Sequence, residues 1–586
     1  MNWDLTKLYA CPDDPKLLGD MARLAELTAR TRALLEGAVS QPAARVLAEV
    51  LTREGELTAL FNKLSNFLML TLAADAENEQ AQARYDALMT QSVDLEQLDS
   101  ALSRYVGSLS DLDAVIEEAP LLTEHAYLLH EYQRQAAHTI DPALEAVVLT
   151  MQLTGGHAWE KLRDLLDATH TVPIGQGAGA RTVTLSEARA LAYDPDPTVR
   201  KAAYEGEIAA YKAIEAPMAA ALSGIKGEAL TLVKLRNYDS VLDQSLDQSK
   251  IDRAVLDAML TAIKEYLPVF RRYLRLKAKA LGHEGGLPFY DLFAPIGEAG
   301  ARYTLEDARA LLVRELGAFR PKMGEMIVRA FDENWIDAYP RPGKQGGAFC
   351  SGAYPIGISY VLSNFDGSLN AVSTLAHELG HAYHDQQLFK NSILNADAPM
   401  TLAETASIFN ETLLTQALIA RADKQEKVML LDQELTEATQ TVVDIYSRYL
   451  FEAEVIAVRK DRTLPARELC ELMRDAQRKS YGDGLSPDAL HPYMWACKSH
   501  YYSSELHFYN FPYAFGLLFG KGVYALKEEK GAAFGAIYDQ LLREAGLGDA
   551  RTVAAHVGID LTAPDFWRAS LSVIARAIDQ LAELIG

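Results

Sequence analysis

Apolar residues recur at three- and four-residue intervals through most of this chain, and that spacing rules out most ways of folding it. Asp20 to Leu35, Ala43 to Leu51 and Ala254 to Leu267 all carry the pattern, which lays apolar side chains along one face of a helix. The first third is also rich in Ala, Leu, Glu and Arg, residues that lose little freedom on entering a helix. Two interruptions stand out. Gly155-Gly156 followed by Thr169 to Thr184 reads as a small hairpin or an exposed loop, and Asp194-Pro195-Asp196-Pro197 then makes a turn that opens a new helix. Further on, Arg341 to Gly347 is a loop. Ala348 to Ser351 and Ile358 to Phe365 read as short strands, leading into a helix that begins near Asn370. An exposed edge of such a sheet can pair with an extended peptide or be purely structural. A chain of 586 residues exceeds what one hydrophobic core serves. The expected architecture is therefore mostly α, with an N-terminal helical lobe over 1–195, a second domain over 196–586, and a small β-sheet beside the helix near Asn370.

Charge and cysteine usage narrow the function classes. The formal net charge is −23, which argues against sequence-independent binding to nucleic acid, since that needs clustered Lys and Arg. The four cysteines, Cys11, Cys350, Cys470 and Cys497, form no CxxC pair, so neither a thiolate metal site nor a redox motif is expected. The start, Met1-Asn2-Trp3-Asp4-Leu5, lacks the basic and apolar regions of a signal peptide. Phe508 to Gly520 is too short and too interrupted by Gly and Pro to span a bilayer. A cytoplasmic location with no membrane partner is expected.

The run Thr374-Leu375-Ala376-His377-Glu378-Leu379-Gly380-His381 carries the chemistry. On a helix, His377 and His381 share a face and can reach one ion. Glu378 lies beside the first of them, where its carboxylate can take a proton from water at an open coordination position. Val372, Leu375, Ala376 and Leu379 form an apolar stripe on a different face, which would fix the helix and leave the ligand side open. A catalytic zinc site also needs a third protein ligand. His384 and Asp385 follow on the same short helix, which would strain tetrahedral geometry. Glu404 lies on what reads as a separate helix, Thr401 to Leu418, after a loop containing Asn395, Asp397 and Pro399. Thr401-Leu402-Ala403-Glu404 also fits a capping box, so spacing alone leaves ligand and cap both open. Glu411, two turns along the same face, could hold a ligand histidine by its other ring nitrogen, or be a solvated carboxylate.

His377 to His384, followed by Leu402-Ala403-Glu404-Thr405-Ala406-Ser407 and Asn410-Glu411, resembles the oligoendopeptidase F branch of the thimet oligopeptidase family of zinc metallopeptidases. Trp3-Asp4-Leu5, Arg236 to Ser240, Tyr290 to Phe293, Trp335 to Asp337 and Gly347 to Gly352 resemble family segments in the expected order, so the resemblance covers nearly the whole chain. It implies two helical lobes around a deep channel, a Zn²⁺ ion held by His377, His381 and Glu404, and oligopeptide substrates that are short and unstructured. Trp495 with His500, and the tyrosine-rich run Phe508 to Gly516, match a family pattern whose histidine and tyrosines face the scissile bond. On that resemblance the catalytic set is Glu378, Tyr509, His500 and Tyr513, with Tyr509 the main donor to the oxyanion and His507 the alternative to His500. Two other readings remain open at this point: an exopeptidase that trims peptide ends, and a non-catalytic peptide-binding protein of the same fold.

Overall fold

The computed structural model describes residues 1–174, 181–297 and 302–586. Helices dominate these residues, and the strands form only a two-stranded and a three-stranded sheet. The fold is mostly α, as the periodicity predicts. The chain packs as two compact units, each assembled from separated stretches. The first comprises Met1–Thr139, Ala301–Ala417 and Leu526–Gly558, and the second Ile140–Gly300, Leu418–Ala525 and Ile559–Gly586. The boundary drawn from the sequence at 195/196 falls inside the second unit. There helix Pro197–Leu235 packs on helix Gly156–Thr169 and on the strand that follows it.

In the first unit, helices Pro15–Glu36, Ala43–Ala74 and Glu79–Gly107 pack on one another. The middle helix is long and apolar enough to cross a membrane by length and composition. It buries Val46, Leu47, Val50, Leu64, Leu68 and Leu70, as a core helix of a globular unit does. The three-stranded sheet lies in the same unit. With β1 (Thr171–Ile174) and β2 (Arg181–Thr184) forming an antiparallel pair in the second unit, the remaining strands are β3 (Ile336–Asp337), β4 (Phe349–Ala353) and β5 (Ile358–Leu362). Their order is β3-β5-β4, with β5 parallel to β3 and antiparallel to β4, Cys350 opposite Val361 and Ser351 opposite Tyr360. Every residue of β5 is buried, which suits a central strand.

The strand boundaries differ from those read off the sequence for a local reason. A turn through Tyr354–Ile356 and Gly357, whose φ is +64°, lets β4 run to Ala353. Beyond Leu362 the chain leaves β4, and Phe365 donates its amide to the Ala338 carbonyl instead. Of the two readings of Thr169 to Thr184, hairpin or exposed loop, the strands pair as a hairpin, β1 and β2, and residues 175–180 between them lie outside the described residues.

In the second unit, helix Arg253–Ala280 packs along Pro564–Ile585, Lys424–Thr439 packs on the same partner, and Ile445–Arg459 pairs with Ala466–Tyr481. Buried ion pairs also lie in this unit: Arg200 with Asp291 at 2.7 Å, Lys226 with Glu452 at 2.7 Å and Lys277 with Asp432 at 3.1 Å. The four cysteines are unpaired.

Candidate active site

Helix Leu369–Leu388 starts where Ser368 accepts the Ala371 amide at 3.1 Å, an N-cap that satisfies one of the otherwise orphaned donors. Its apolar stripe, Val372, Leu375, Ala376 and Leu379, is fully buried, and the helix packs against β4, β5 and helix Phe534–Glu544. The stripe sets the rotation of the helix and leaves the side chains of His377 and His381 on a half-buried face, 23 % and 24 % exposed.

Glycine at 380 admits the second helix. A β-carbon there would come within 2.6 Å of Ser407 Cα and 2.7 Å of the Ala406 carbonyl oxygen, closer than any side chain allows. Asn410 stitches the same crossing by donating from Nδ2 to the Ala376 carbonyl at 3.3 Å. The helix expected over Thr401 to Leu418 is two helices, Met400–Ala403 and Thr405–Arg421, with Glu404 at the break. The N-cap position belongs to Pro399, so Glu404 is not the acid of a capping box. Its backbone sits at the end of the short helix, and its carboxylate reaches across to the histidines. Ser407 Oγ steadies it, donating to Oε2 at 2.7 Å.

Three donor atoms converge as a result. His377 Nε2 lies 3.1 Å from His381 Nε2, and Glu404 Oε2 lies 3.3 Å from the first and 3.4 Å from the second. Ligand atoms about 2.0–2.1 Å from a tetrahedral zinc ion stand roughly 3.3 Å apart, so the triangle has the size that ion requires. Two imidazoles and a carboxylate are also the donor set zinc favours. On the far side of His377, Nδ1 is 3.3 Å from Glu411 Oε1, the contact that fixes which ring nitrogen faces the centre.

The electrostatics point the same way. Burial pulls the His377 pKa down, but the Glu404 and Glu411 carboxylates outweigh it and push the ring up to about 10. Against its own burial, Glu404 is held far below the usual carboxylate range by His377 and His381. The cluster thus attracts positive charge. Glu378 is buried beside it, and burial raises its carboxyl above the ordinary range while His377 and His381 pull the other way. A carboxylate so poised can both accept and return a proton. The other two candidate ligands turn elsewhere. His384 is buried with Nε2 3.2 Å from the Leu542 carbonyl and is pushed down to about 4 by burial. Asp385 accepts from Ser359 Oγ at 2.7 Å.

His500, Tyr509 and Tyr513 belong to the second unit, where they form a cluster of their own. The His500 ring centroid is 5.5 Å from that of Tyr509 and 5.8 Å from that of Tyr513, and the two tyrosine rings are 5.2 Å apart. His500 Nε2 lies 3.3 Å from the Tyr513 hydroxyl. Burial and the cations Arg448 and Lys498 push His500 down to about 4, so it is a neutral imidazole at physiological pH. The helix starts only at Phe511, and Tyr509 sits in the turn before it. His507 is buried, with Nδ1 3.2 Å from Lys226 Nζ, and does not join the tyrosines. Ser407, Gly380 and Asn410 shape the site without having been singled out in the sequence. Ser407 alone had a local signal, three residues after Glu404.

Residues 190–573 match peptidase family M3, and residues 108–171 match the oligopeptidase F region. The chain belongs to peptidase family M3. The group B oligopeptidase PepB of Streptococcus agalactiae is 26 % identical over 490 residues, covering 82 % of this chain and 80 % of that one. Oligopeptidase PepF of Bacillus subtilis is 24 % identical over 482 residues, covering 81 % and 71 %. Among solved structures, the oligoendopeptidase F of Enterococcus faecium superposes with a TM-score of 0.69 at 20 % identity, covering 97 % of this chain and 99 % of that one, a likeness of fold. A candidate peptidase from Chlamydophila abortus superposes with a TM-score of 0.88 at 23 % identity over 100 % and 98 %. An M3 chain of this kind is a peptidase, and the resemblance read from its motifs stands.

Proposed function

We propose that this M3 peptidase is a zinc-dependent endopeptidase acting on short unstructured peptides. The observation that carries the reading is the convergence of His377 Nε2, His381 Nε2 and Glu404 Oε2 within 3.4 Å of one another. The oligopeptidase names of the relatives support the substrate class. His377, His381 and Glu404 would hold the ion, with Glu411 orienting His377. When bound, zinc supplies Lewis acidity, making water nucleophilic near neutral pH and polarising the scissile carbonyl. Glu378 takes the proton of the attacking water on a carboxylate oxygen and passes it to the leaving amine. The Tyr509 hydroxyl donates to the oxygen on which negative charge develops, with the His500 imidazole and Tyr513 assisting. No side chain is acylated.

The test is digestion of a peptide mixture containing end-blocked peptides, with and without a chelator, read by mass spectrometry. Internal cuts in the blocked peptides that vanish with chelator and return with zinc are expected. Cuts only at free ends would replace the endopeptidase reading with an exopeptidase one. Glu378→Gln should keep its zinc and lose about 10²–10⁴-fold in turnover. Undiminished turnover in that variant would remove Glu378 from the proton path.

A further inference from the structure

The residue proposed to stabilise the oxyanion, Tyr509, has no regular element to stand on. It occupies a turn between a short 3-10 segment, Ser499–Tyr502, and the helix beginning at Phe511. Phe508, just before it, has φ +52°, a left-handed conformation that a residue with a bulky side chain adopts only when its surroundings impose it. The surroundings here are a buried carboxylate. Glu452 Oε1 accepts the Phe508 amide at 3.0 Å, and Oε2 accepts Asn510 Nδ2 at 2.8 Å. The two residues flanking Tyr509 are therefore held by the two oxygens of one side chain.

That side chain is held in turn. Lys226 donates from Nζ to Glu452 Oε1 at 2.7 Å, and both side chains are 1 % exposed. Lys226 Nζ also lies 3.2 Å from His507 Nδ1. An ammonium has only hydrogens to give, so this ring nitrogen is the acceptor. Ser245 Oγ donates to the His507 carbonyl at 2.7 Å. Within the turn, the Asn510 amide reaches the Phe508 carbonyl at 2.6 Å, and Asn510 Oδ1 accepts the Phe511 amide at 2.7 Å. Backbone or side chain is fixed at 507, 508, 510 and 511, and Tyr509 is the residue in the middle.

We infer that Glu452 and Lys226 are positioning residues for Tyr509: a buried ion pair that imposes the strained turn aiming its hydroxyl. The inference rests on the oxyanion role given to Tyr509 above. An ion pair sealed from water is an expensive way to gain stability, because desolvation offsets most of the attraction. It is a good way to fix geometry, because each oxygen of Glu452 has an assigned donor and any other turn conformation takes from a buried carboxylate oxygen the donor it has here. The described hydrogen bonds of Glu452 reach the residues on either side of Tyr509 and not its hydroxyl, so the effect of the pair runs through where Tyr509 stands.

The test is steady-state kinetics on an internally quenched peptide for Glu452→Ala, Glu452→Gln, Tyr509→Phe and the double variant Glu452→Ala/Tyr509→Phe. Circular dichroism and zinc content show which variants are folded and loaded. Glu452→Ala should lower kcat about 10-fold or more with KM within about twofold. Glu452→Gln, which keeps an oxygen for the Phe508 amide, should recover part of the loss. In the Tyr509→Phe background, Glu452→Ala should cost less than about twofold, since a residue acting through the hydroxyl has nothing left to act on. A 3-fluorotyrosine at 509 should give one sharp fluorine-19 line, broadened or split in Glu452→Ala. If Glu452→Ala does not fold, Asn510→Ala removes the Oε2 contact with the ion pair intact, and a loss of kcat at constant KM is again expected. Full additivity in the double variant, or an unchanged kcat in folded Glu452→Ala while Tyr509→Phe is impaired, overturns the inference alone. A kcat loss in Glu452→Ala with none in Tyr509→Phe overturns it through its premise, because the oxyanion reading then fails first.

Discussion

Two polar clusters in this molecule are opposites. In the first unit, two ring nitrogens and a carboxylate oxygen point at one another across 3.1–3.4 Å, and against the burial of the ring the Glu404 and Glu411 carboxylates drive His377 up to about 10. In the second unit, each oxygen of Glu452 meets a donor from its own chain. A cluster that is complete within itself can hold a shape and recruits nothing. A cluster of acceptors facing inward is finished only by a cation from outside, and that incompleteness is what supports the proposed metal site. The predictions below probe that contrast, beginning with the change that should matter most.

Glu404→Ala should collapse the open cluster. With one of three donors gone, zinc retained after dialysis should fall well beyond the 10–100-fold typical of outer carboxylates, and peptide cleavage roughly 10³-fold or more. Metal content by mass spectrometry checks this; full zinc content in the variant would mean the ion is held elsewhere. Tyr509→Phe leaves both clusters intact and removes only a donor to developing charge. It should lower kcat about 10²–10³-fold with little change in KM. An effect on KM alone would make Tyr509 a substrate contact. Glu411→Gln keeps the His377 contact but not its charge, and should weaken zinc affinity about 10–100-fold. A competition titration against a chromophoric chelator reads this directly, and an unaltered affinity would reduce Glu411 to a solvated carboxylate.

These sites were legible in the sequence to different degrees, for physical reasons. The pairing of His377 with His381 is fixed by helix geometry alone, and the buried stripe Val372, Leu375, Ala376 and Leu379 is an equally local pattern. Glu404 is a long-range matter. Its role depends on a close helix crossing that only Gly380 permits, and no periodicity tells which partner a glycine admits. The capping pattern around Glu404 was a fair local reading that lost to Pro399 and a helix break. His500 and His507 could not be told apart by spacing because the segment between them is irregular. Burial against Lys226 separates them. The interleaving of the two units along the chain left no compositional trace, since both are mostly helical. Glu452 was missed for a similar reason: a lone glutamate on a helix reads as solvated until the structure buries it.

Glu54 supplies the third case, a carboxylate that among the described residues has neither a cation nor a full set of donors. It is buried in helix Ala43–Ala74, its Oε2 has no hydrogen-bond partner among the described residues, and Tyr132 reaches Oε1 only at 3.4 Å. Burial, with Asp99 nearby, pushes it up to about 8, and Asp99 itself is raised to about 6. A folded-state pKa above the unfolded value means the folded protein binds the proton more tightly. The associated stability is complete below the unfolded value near 4.5, declines as pH rises, and is gone once pH passes about 8. Glu54→Gln removes this ionisation. Between pH 6 and 8 the thermal midpoint of the variant should stay level while that of the parent falls. Below pH 6 a decline should remain in both, because Asp99 is still present. At pH 8 the gain should be about 1 kcal/mol, a part of the full linkage, since the new amide is itself buried without a complete set of partners. Scanning calorimetry across that range decides it. Parallel pH profiles for parent and variant would mean that Glu54 already has a partner as effective as the one Lys226 gives Glu452, and the division between complete and incomplete carboxylates would fail at this residue.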